Sequence, residues 1–312
     1  MKQLVNIERF CLIGHIFAMA FGLAGLLIVL PHPELIASLS PMGQTLFRWS
    51  MSGGGVVYII LGAAAVAIYA YRTLGLWQWL TFMVPAVLLS LSSELLGTST
   101  GFPFGHYGYL NGLGYKIAGL VPFTIPLSWF YLGLVSYLLA RVGLEAKVTS
   151  RTRLSWLHQL GAIAIGAMLL TSWDFVLDPA MSQTNAPFWL WYQPGAFFGM
   201  PYQNFAGWMG TGALFMTVAA LFWQRRGYVA LSRKQLGLPL AVYLSNFTFA
   251  AVMSIGAGIW IPVGLGILLG VTPALVLWAM AASTPTPPAP DLHKNPKVDS
   301  TQTPKVPVAP IG

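Results

Sequence analysis

Residues 157–178 read LHQLGAIAIGAMLLTSWDFVLD, an apolar run that carries aspartates only near its end. A helix needs about 20 mainly apolar residues to cross roughly 30 Å of hydrocarbon, and this run is long enough. Similar runs occur at about 11–30, 51–71, 77–96, 118–140, 204–223, 237–256 and 259–280. The sequence therefore predicts an all-α fold, a polytopic membrane helix bundle of about eight transmembrane helices.

The composition agrees with a membrane protein and excludes several kinds of chemistry. Of the 312 residues, 56% are hydrophobic and 8% are charged, and this charged share is about a third of that in an ordinary soluble domain. Cys11 is the only cysteine, which excludes an internal disulfide framework, a thiolate zinc site and a cysteine-ligated iron–sulfur cluster. Chemistry must therefore rely on oxygen, nitrogen and aromatic side chains.

Basic residues in the short loops predict the orientation of the bundle. With the N-terminus in the cytoplasm, Arg48 and Lys116 lie outside, and the other loop bases lie inside: Lys2, Arg9, Arg72, Arg141, Lys147, Arg151, Arg153, Arg225, Arg226, Arg233 and Lys234. An even number of spans then places the C-terminus in the cytoplasm too. Residues 283–312 contain eight prolines and no helical periodicity, so we expect a transmembrane bundle at 1–282 and a disordered cytoplasmic tail at 283–312.

Two glycines in the last predicted span indicate a closely packed helix face. Gly266 and Gly270 are four residues apart, which puts them on one side of a helix and lets a neighbouring helix approach.

Three acidic residues lie where charge is expensive. Glu94 and Asp174 each come seventeen residues after the start of their predicted spans, so both lie roughly 26 Å along helices that enter from the cytoplasm. Asp178 follows Asp174 by one helical turn, on the same face if the helix continues through Pro179. Their similar depth leads us to expect that the three carboxyls share one site near the outer leaflet. An ionisable group at membrane depth costs about 2.5–3.5 kcal/mol, so such groups are usually paired or functional.

The remaining charges give these carboxyls little compensation. On the outer side, Lys116 and Arg48 offer at most one or two cationic partners, so the rest of the three carboxyls should be neutralised by protonation. The other acids are Glu8, Glu34, Glu145, Asp291 and Asp299. These lie near termini or in predicted loops, where we expect water to solvate them.

Aromatic residues are concentrated in the loops around the three acids. Residues 101–109 read GFPFGHYGY, and residues 179–205 are aromatic and nearly free of formal charge. Tryptophan and tyrosine at a membrane interface are often simple anchors. Their clustering predicts instead that the segment between the fifth and sixth spans folds back over the outer ends of the third, fifth and sixth spans.

The histidines and glycines indicate chemistry without a cofactor. The five histidines, His15, His32, His106, His158 and His293, are isolated from one another, which argues against a histidine-box iron oxygenase. No glycine-rich phosphate or dinucleotide fingerprint stands between a strand and a helix. We therefore expect no metal and no cofactor.

Three blocks of this sequence resemble the membrane carotenoid 1,2-hydratase family, which includes γ-carotene 1'-hydroxylases and bisanhydrobacterioruberin hydratases. The blocks are residues 93–109, 173–179 and 199–208. The resemblance implies addition of water to the C1'=C2' double bond of an acyclic ψ end group on a γ-carotene-like polyene, in myxol glycoside-type biosynthesis. It implies as partners the carotenoid, water, the lipid bilayer and a downstream carotenoid glycosyltransferase, with no nucleic acid.

The chemistry of alkene hydration suggests roles for the residues of these blocks. We expect Asp174 to be the general acid, with Asp178 keeping it protonated or orienting water, and Glu94 to be the base. Aromatic faces would stabilise the cation at about 2 kcal/mol or more each when desolvated, and the candidates are Trp173, Trp189, Trp191, Tyr107 and Tyr109. The candidates for positioning water are His106, Tyr202 and Asn204.

Other functions fit the same residues. A proton-coupled transporter of a lipophilic solute would use the three acids to carry protons, although no convincing internal duplication is visible. An isoprenoid isomerase or cyclase would use the same protonated alkene. A structural scaffold would leave the acids unexplained.

Overall fold

The computed structural model describes residues 1–146, 156–184, 186–193, 195–224, 229 and 231–283, apart from the side chain of Ser52. Five of the predicted cytoplasmic bases lie outside these ranges, namely Lys147, Arg151, Arg153, Arg225 and Arg226. Residues 284–312 of the predicted tail also lie outside them.

Within the described residues, eight helices are long and apolar enough to cross a membrane, which confirms the predicted all-α polytopic bundle. Short helices and π-helical turns complete some of the spans. The helices are α1 (Lys2–Ala24, continued by a π-helical turn at Gly25–Val29), α2 (Pro33–Ala37), α3 (Pro41–Leu74), α4 (Leu76–Thr100), α5 (Thr124–Glu145), α6 (Trp156–Met181), α7 (Tyr202–Trp223), α8 (Gly237–Gly256), α9 (Trp260–Gly266, continued by a π-helical turn at Ile267–Val271) and α10 (Thr272–Met280).

Several predicted spans have different bounds in the structure, and two of them begin at clear local signals. The second, α3, begins ten residues earlier than predicted, because Ser40 caps it by accepting a hydrogen bond from the Gly43 N–H at 3.2 Å and Pro41 occupies its first turn. The fourth was predicted at 118–140, and its start was wrong. The chain first forms a hairpin of β2 (Lys116–Ile117) and β3 (Val121–Pro122), so α5 begins at Thr124.

Helix α5 is the centre of the bundle. It packs against α3, α4, α6, α8 and α10, and 89% of its spanning window is buried inside the protein, compared with 11% for α1. The apolar side chains of α1 that face away from the bundle are available to lipid. A residue of α5 is therefore surrounded by protein, which makes this helix suited to hold buried polar partners.

Two acids that we expected to be solvated are buried and paired with arginines. Glu145 accepts a hydrogen bond from Arg141 Nε at 2.7 Å, one helical turn away. Glu8 pairs with Arg72 Nε at 2.9 Å. The expectation of solvation was wrong for both, because the helices extend beyond the predicted bounds and carry these residues into the packed bundle, where a charge needs a partner.

At the opposite end of the bundle, two loops pair to form a lid. Strand β1 (Tyr107–Tyr109) pairs antiparallel with β4 (Trp189–Trp191), so that Tyr107 faces Trp191 and Tyr109 faces Trp189. We call residues 101–123 and 182–201 the cap. The aromatic segment between the fifth and sixth spans thus folds back over the bundle as predicted, although the sequence patterns had indicated no strands.

The glycine face of the last span packs as predicted. A Cβ atom added at Gly266 would overlap Val176 of α6 and Phe247 of α8, and one added at Gly270 would overlap Ser172 and Tyr243. These glycines let the last span approach α6 and α8 closely.

We predict that Gly266→Leu lowers the free energy of unfolding by about 1–3 kcal/mol, because an added side chain must displace α6 or α8. Thermal unfolding of the purified protein in detergent would measure this as a lower Tm. The matched control is Gly264→Leu in the same helix, where an added Cβ meets no atom within 4 Å. Equal Tm values for the two variants would contradict the packing role of Gly266.

Candidate active site

The three membrane acids line a single cavity beneath the cap. It comprises about 630 Å³ of empty space, part of it open to the surroundings, and Glu94, Asp174 and Asp178 are each no more than 4% exposed. Glu94 lies near the end of α4, which stops where Gly101 adopts a left-handed conformation with φ of 82°. Asp174 and Asp178 lie near the end of α6, which continues through Pro179 to Met181. The helix ends therefore bring together carboxyls that are about 80 residues apart in sequence.

Glu94 accepts hydrogen bonds from three aromatic residues. Its Oε2 accepts from the hydroxyls of Tyr107 and Tyr109, the latter at 2.9 Å, and its Oε1 accepts from Trp129 Nε1 at 2.9 Å. Tyr107 and Tyr109 are two residues apart on β1, and alternate residues of a strand point to the same face. The strand therefore delivers both hydroxyls to one carboxyl.

Asp178 is held by the partner strand in the same manner. Its Oδ1 accepts from Trp189 Nε1 at 2.7 Å and from Trp191 Nε1 at 2.9 Å. These tryptophans are also two residues apart, on β4, opposite Tyr109 and Tyr107. The four aromatic residues on one face of the paired strands β1 and β4 therefore donate hydrogen bonds to two carboxyls on different helices.

Asp174 has a sparser environment. Asn204 of α7 donates from Nδ2 to Asp174 Oδ2 at 2.8 Å and to Asp178 Oδ2 at 3.1 Å. Among the described residues, this is the only hydrogen bond to the Asp174 side chain, whereas Glu94 and Asp178 each accept three. Asn204 bridges the two aspartates, which lie one turn apart on one face of α6.

None of the three carboxyls pairs with a cation in the part of the chain that the structure describes. Lys116 donates instead to the backbone carbonyl of Tyr109 at 2.6 Å, and Arg48 donates to Thr45 Oγ1 at 3.3 Å. Burial raises the pKa of the Tyr107 and Tyr109 phenols well above the ordinary value, and the nearby Glu94 raises it further. Both phenols therefore remain hydrogen-bond donors at neutral pH.

The structure brings most of the sequence-predicted site residues to this cavity but leaves two outside it. The predicted residues that line it are Glu94, Asp174, Asp178, Tyr107, Tyr109, Trp173, Trp189, Trp191 and Asn204. His106 is exposed, and its backbone carbonyl accepts a hydrogen bond from the Tyr192 N–H at 2.9 Å. Tyr202 is 65% exposed. Neither contacts the carboxyls that it was predicted to supply with water.

Two tryptophans of the cavity were absent from the sequence prediction. Trp129 donates to Glu94, and its ring stacks on Trp208 with centroids 3.9 Å apart. Trp208 in turn meets Trp173 edge to face at 5.8 Å. Trp129 lies in an apolar span where tryptophan is unremarkable, whereas Trp208 belongs to the third sequence block, which was a usable signal.

Comparisons with known proteins agree on one family. A family model described as "Carotenoid biosynthesis protein" matches residues 54–273, a range that contains every residue of the cavity. The bisanhydrobacterioruberin hydratase of Haloarcula japonica is 32% identical over 200 residues, which are 63% of this chain and 62% of that protein. The match therefore spans less than two thirds of the relative's length. No solved structure matches the chain.

Proposed function

The chain belongs to the carotenoid biosynthesis protein family, and we propose from this membership that it is a cofactor-independent carotenoid 1',2'-hydratase. The substrate is a γ-carotene-like polyene with an acyclic ψ end group. Water adds to its C1'=C2' double bond and gives a tertiary 1'-hydroxyl. The observation that carries this proposal is the uneven supply of donors to three buried carboxyls in one aromatic cavity.

The reaction balances with two carboxyls and one water. A carboxylic acid gives its proton to C2', which leaves a tertiary cation at C1'. Water bonds to C1' and gives a proton to a carboxylate. The site returns to its starting state when a proton passes from the second carboxyl to the first, so the net change is alkene plus water to alcohol.

Asp174 is the proposed general acid because it is the carboxyl least stabilised as an anion. Hydrogen bonds to a charged group contribute about 1.5–3 kcal/mol each, and Asp174 receives one, from the neutral amide of Asn204. Asp174 is 4% exposed, so water gives its anion little further help. A carboxyl kept undissociated in a dry site is the kind of acid that protonation of carbon requires.

Glu94 is the proposed base, and Asp178 the proposed orienting group. Donors to both oxygens of Glu94, from Tyr107, Tyr109 and Trp129, stabilise the carboxylate form that accepts a proton. Asp178 is fixed by the two indoles of β4 and shares Asn204 with Asp174. Because Asn204 bonds to both aspartates, Asp178 is well placed to hold Asp174 in position and to orient water.

The cation at C1' would lie among π faces. Trp173, Trp189, Trp191, Tyr107 and Tyr109 line the cavity, as do Trp129 and Trp208. A desolvated cation over such a face gains about 2 kcal/mol or more. The aromatic lining thus supports stabilisation of a cationic intermediate without a nearby carboxylate having to trap it.

We also propose that both termini lie in the cytoplasm and that the cap lies on the outer side, because the loop bases are concentrated at the opposite end of the spans. An impermeant thiol reagent should then label Tyr115→Cys, an exposed cap residue, in intact host cells. Lys234→Cys should be labelled only after permeabilisation. The reverse pattern would overturn the orientation.

The proposed place in metabolism follows from the product. A tertiary 1'-hydroxyl is retained in carotenoids of the myxol glycoside type, so a downstream carotenoid glycosyltransferase is the proposed partner in the pathway.

Expression in a host that makes γ-carotene and lycopene should convert the pigment to a product heavier by one water. Oxygen-18 from labelled water should appear in this product, because water captures the cation, whereas labelled dioxygen should give none. Mass analysis of the extracted pigments measures both. An isomer without added mass would indicate an isomerase or cyclase, and incorporation from dioxygen would refute the hydratase mechanism.

Asp174→Asn should reduce hydration by about 10²–10⁴-fold, since it removes the general acid. Asp178→Asn should lose less activity, because an asparagine oxygen still accepts from the two indoles. Product formed per amount of membrane-inserted protein is the measurement. Glu34→Gln, at an exposed carboxyl, is the control and should keep wild-type activity. Wild-type turnover by a well-inserted Asp174→Asn protein would refute the acid assignment.

A further inference from the structure

A second chamber adjoins the cavity that holds the carboxyls. It comprises about 550 Å³ of empty space, part of it open to the surroundings, and it lies between α1, α3, α6, α8 and the cap. Tyr58, Leu113, Leu177 and Trp189 line both spaces. The two chambers therefore share part of their walls.

The walls of the second chamber suit an apolar ligand. No acidic or basic residue lines it in the described part of the chain, and Met19, Met51 and Met181 supply flexible, polarizable surface. Three carboxyls line the first cavity, by contrast. The pair of chambers thus combines a polar reaction site with an apolar extension.

One wall of the second chamber is formed by α1 and α3. Gly22 and Leu26 of α1 and Met51 and Gly54 of α3 line it and are half-buried. Helix α1 lies at the edge of the bundle, since 11% of its spanning window is buried. These residues therefore place one wall of the chamber close to the lipid.

We propose that this second chamber binds the conjugated polyene chain of the substrate and is its lateral entrance from the bilayer. This inference rests on the proposed function. A conjugated chain is stiff and straight, so it cannot coil within the carboxyl cavity when its end group is seated there. The chain must therefore pass through a wall of this cavity. At the wall shared with the second chamber, it meets apolar side chains and is kept away from buried carboxyls and water.

Two glycines keep this path open. A Cβ atom added at Gly22 or at Gly54 meets no atom within 4 Å, whereas one added at the neighbouring Gly55 would lie 2.7 Å from the Gly112 carbonyl oxygen. Both glycines line the chamber, so a larger side chain at either position can narrow it without displacing the protein. Replacing a helical glycine also favours the helix, so these variants should fold.

The test is a size series at Gly54, namely Gly54→Ala, Gly54→Val and Gly54→Leu, with Gly22→Leu as an independent obstruction. Gly210→Leu is the matched control, because Gly210 is exposed on α7 and an added Cβ there also meets nothing within 4 Å. Each protein is placed in lipid nanodiscs with γ-carotene. Binding is measured as circular dichroism induced in the visible band of the polyene, which the pigment free in lipid does not show.

Apparent affinity for γ-carotene should fall stepwise with side-chain size, by about tenfold or more for Gly54→Leu, while Gly210→Leu matches the wild type. Tm values equal to the wild type would exclude misfolding as the cause. Affinity that is the same in all variants, or no induced signal in the wild type, would overturn the inference.

Hydration of γ-carotene by the same samples separates this inference from the proposed function. Size-dependent binding without any hydrated product would support the chamber and refute the hydratase. Hydration at the wild-type rate by Gly54→Leu and Gly22→Leu would overturn the chamber and leave the hydratase intact.

Discussion

The structure depends on the hydrogen bonds that the buried carboxyls accept at the cap end. Removing a carboxyl from water costs several kcal/mol unless hydrogen bonds or charges replace the lost solvation. Here the ladder of β1 and β4 turns two hydroxyls toward Glu94 and two indole N–H groups toward Asp178. The cap is consequently fastened to α4 and α6 by its donors, and the acids are held in place by the cap.

The two ends of the bundle stabilise their buried carboxyls in different ways. At one end, Glu145 and Glu8 are neutralised by Arg141 and Arg72. At the cap end, the donors to the three carboxyls within the described residues are neutral phenols, indoles and an amide. An arginine would fix a carboxylate as a permanent anion. Neutral donors leave the carboxyls able to gain and lose a proton, which is the property that the proposed acid–base chemistry requires.

The helices enclose two different spaces, the cavity with the three carboxyls and the apolar second chamber. Helix α5 is surrounded by protein and brings Trp129 to Glu94, whereas α1 lies at the edge of the bundle and borders the second chamber. Under the proposed function, a long substrate dissolved in the bilayer uses both spaces: the apolar chamber for its chain and the carboxyl cavity for its reactive end. Residues at the junction, such as Tyr58 and Trp189, touch both chambers.

Contiguous sequence by itself determined the class of the fold and which acids lie deep in the predicted spans. Hydropathy and span length depend on neighbouring residues, so the eight helices, the depth of Glu94 and the shared face of Asp174 and Asp178 were predictable. Only the tertiary structure decided which groups satisfy those acids. Trp129, the pairing of residues 107–109 with 189–191, the outward position of His106 and the burial of Glu8 depend on contacts between distant segments. No local pattern specifies such contacts, because they arise from how the helices pack and where the loops between them meet.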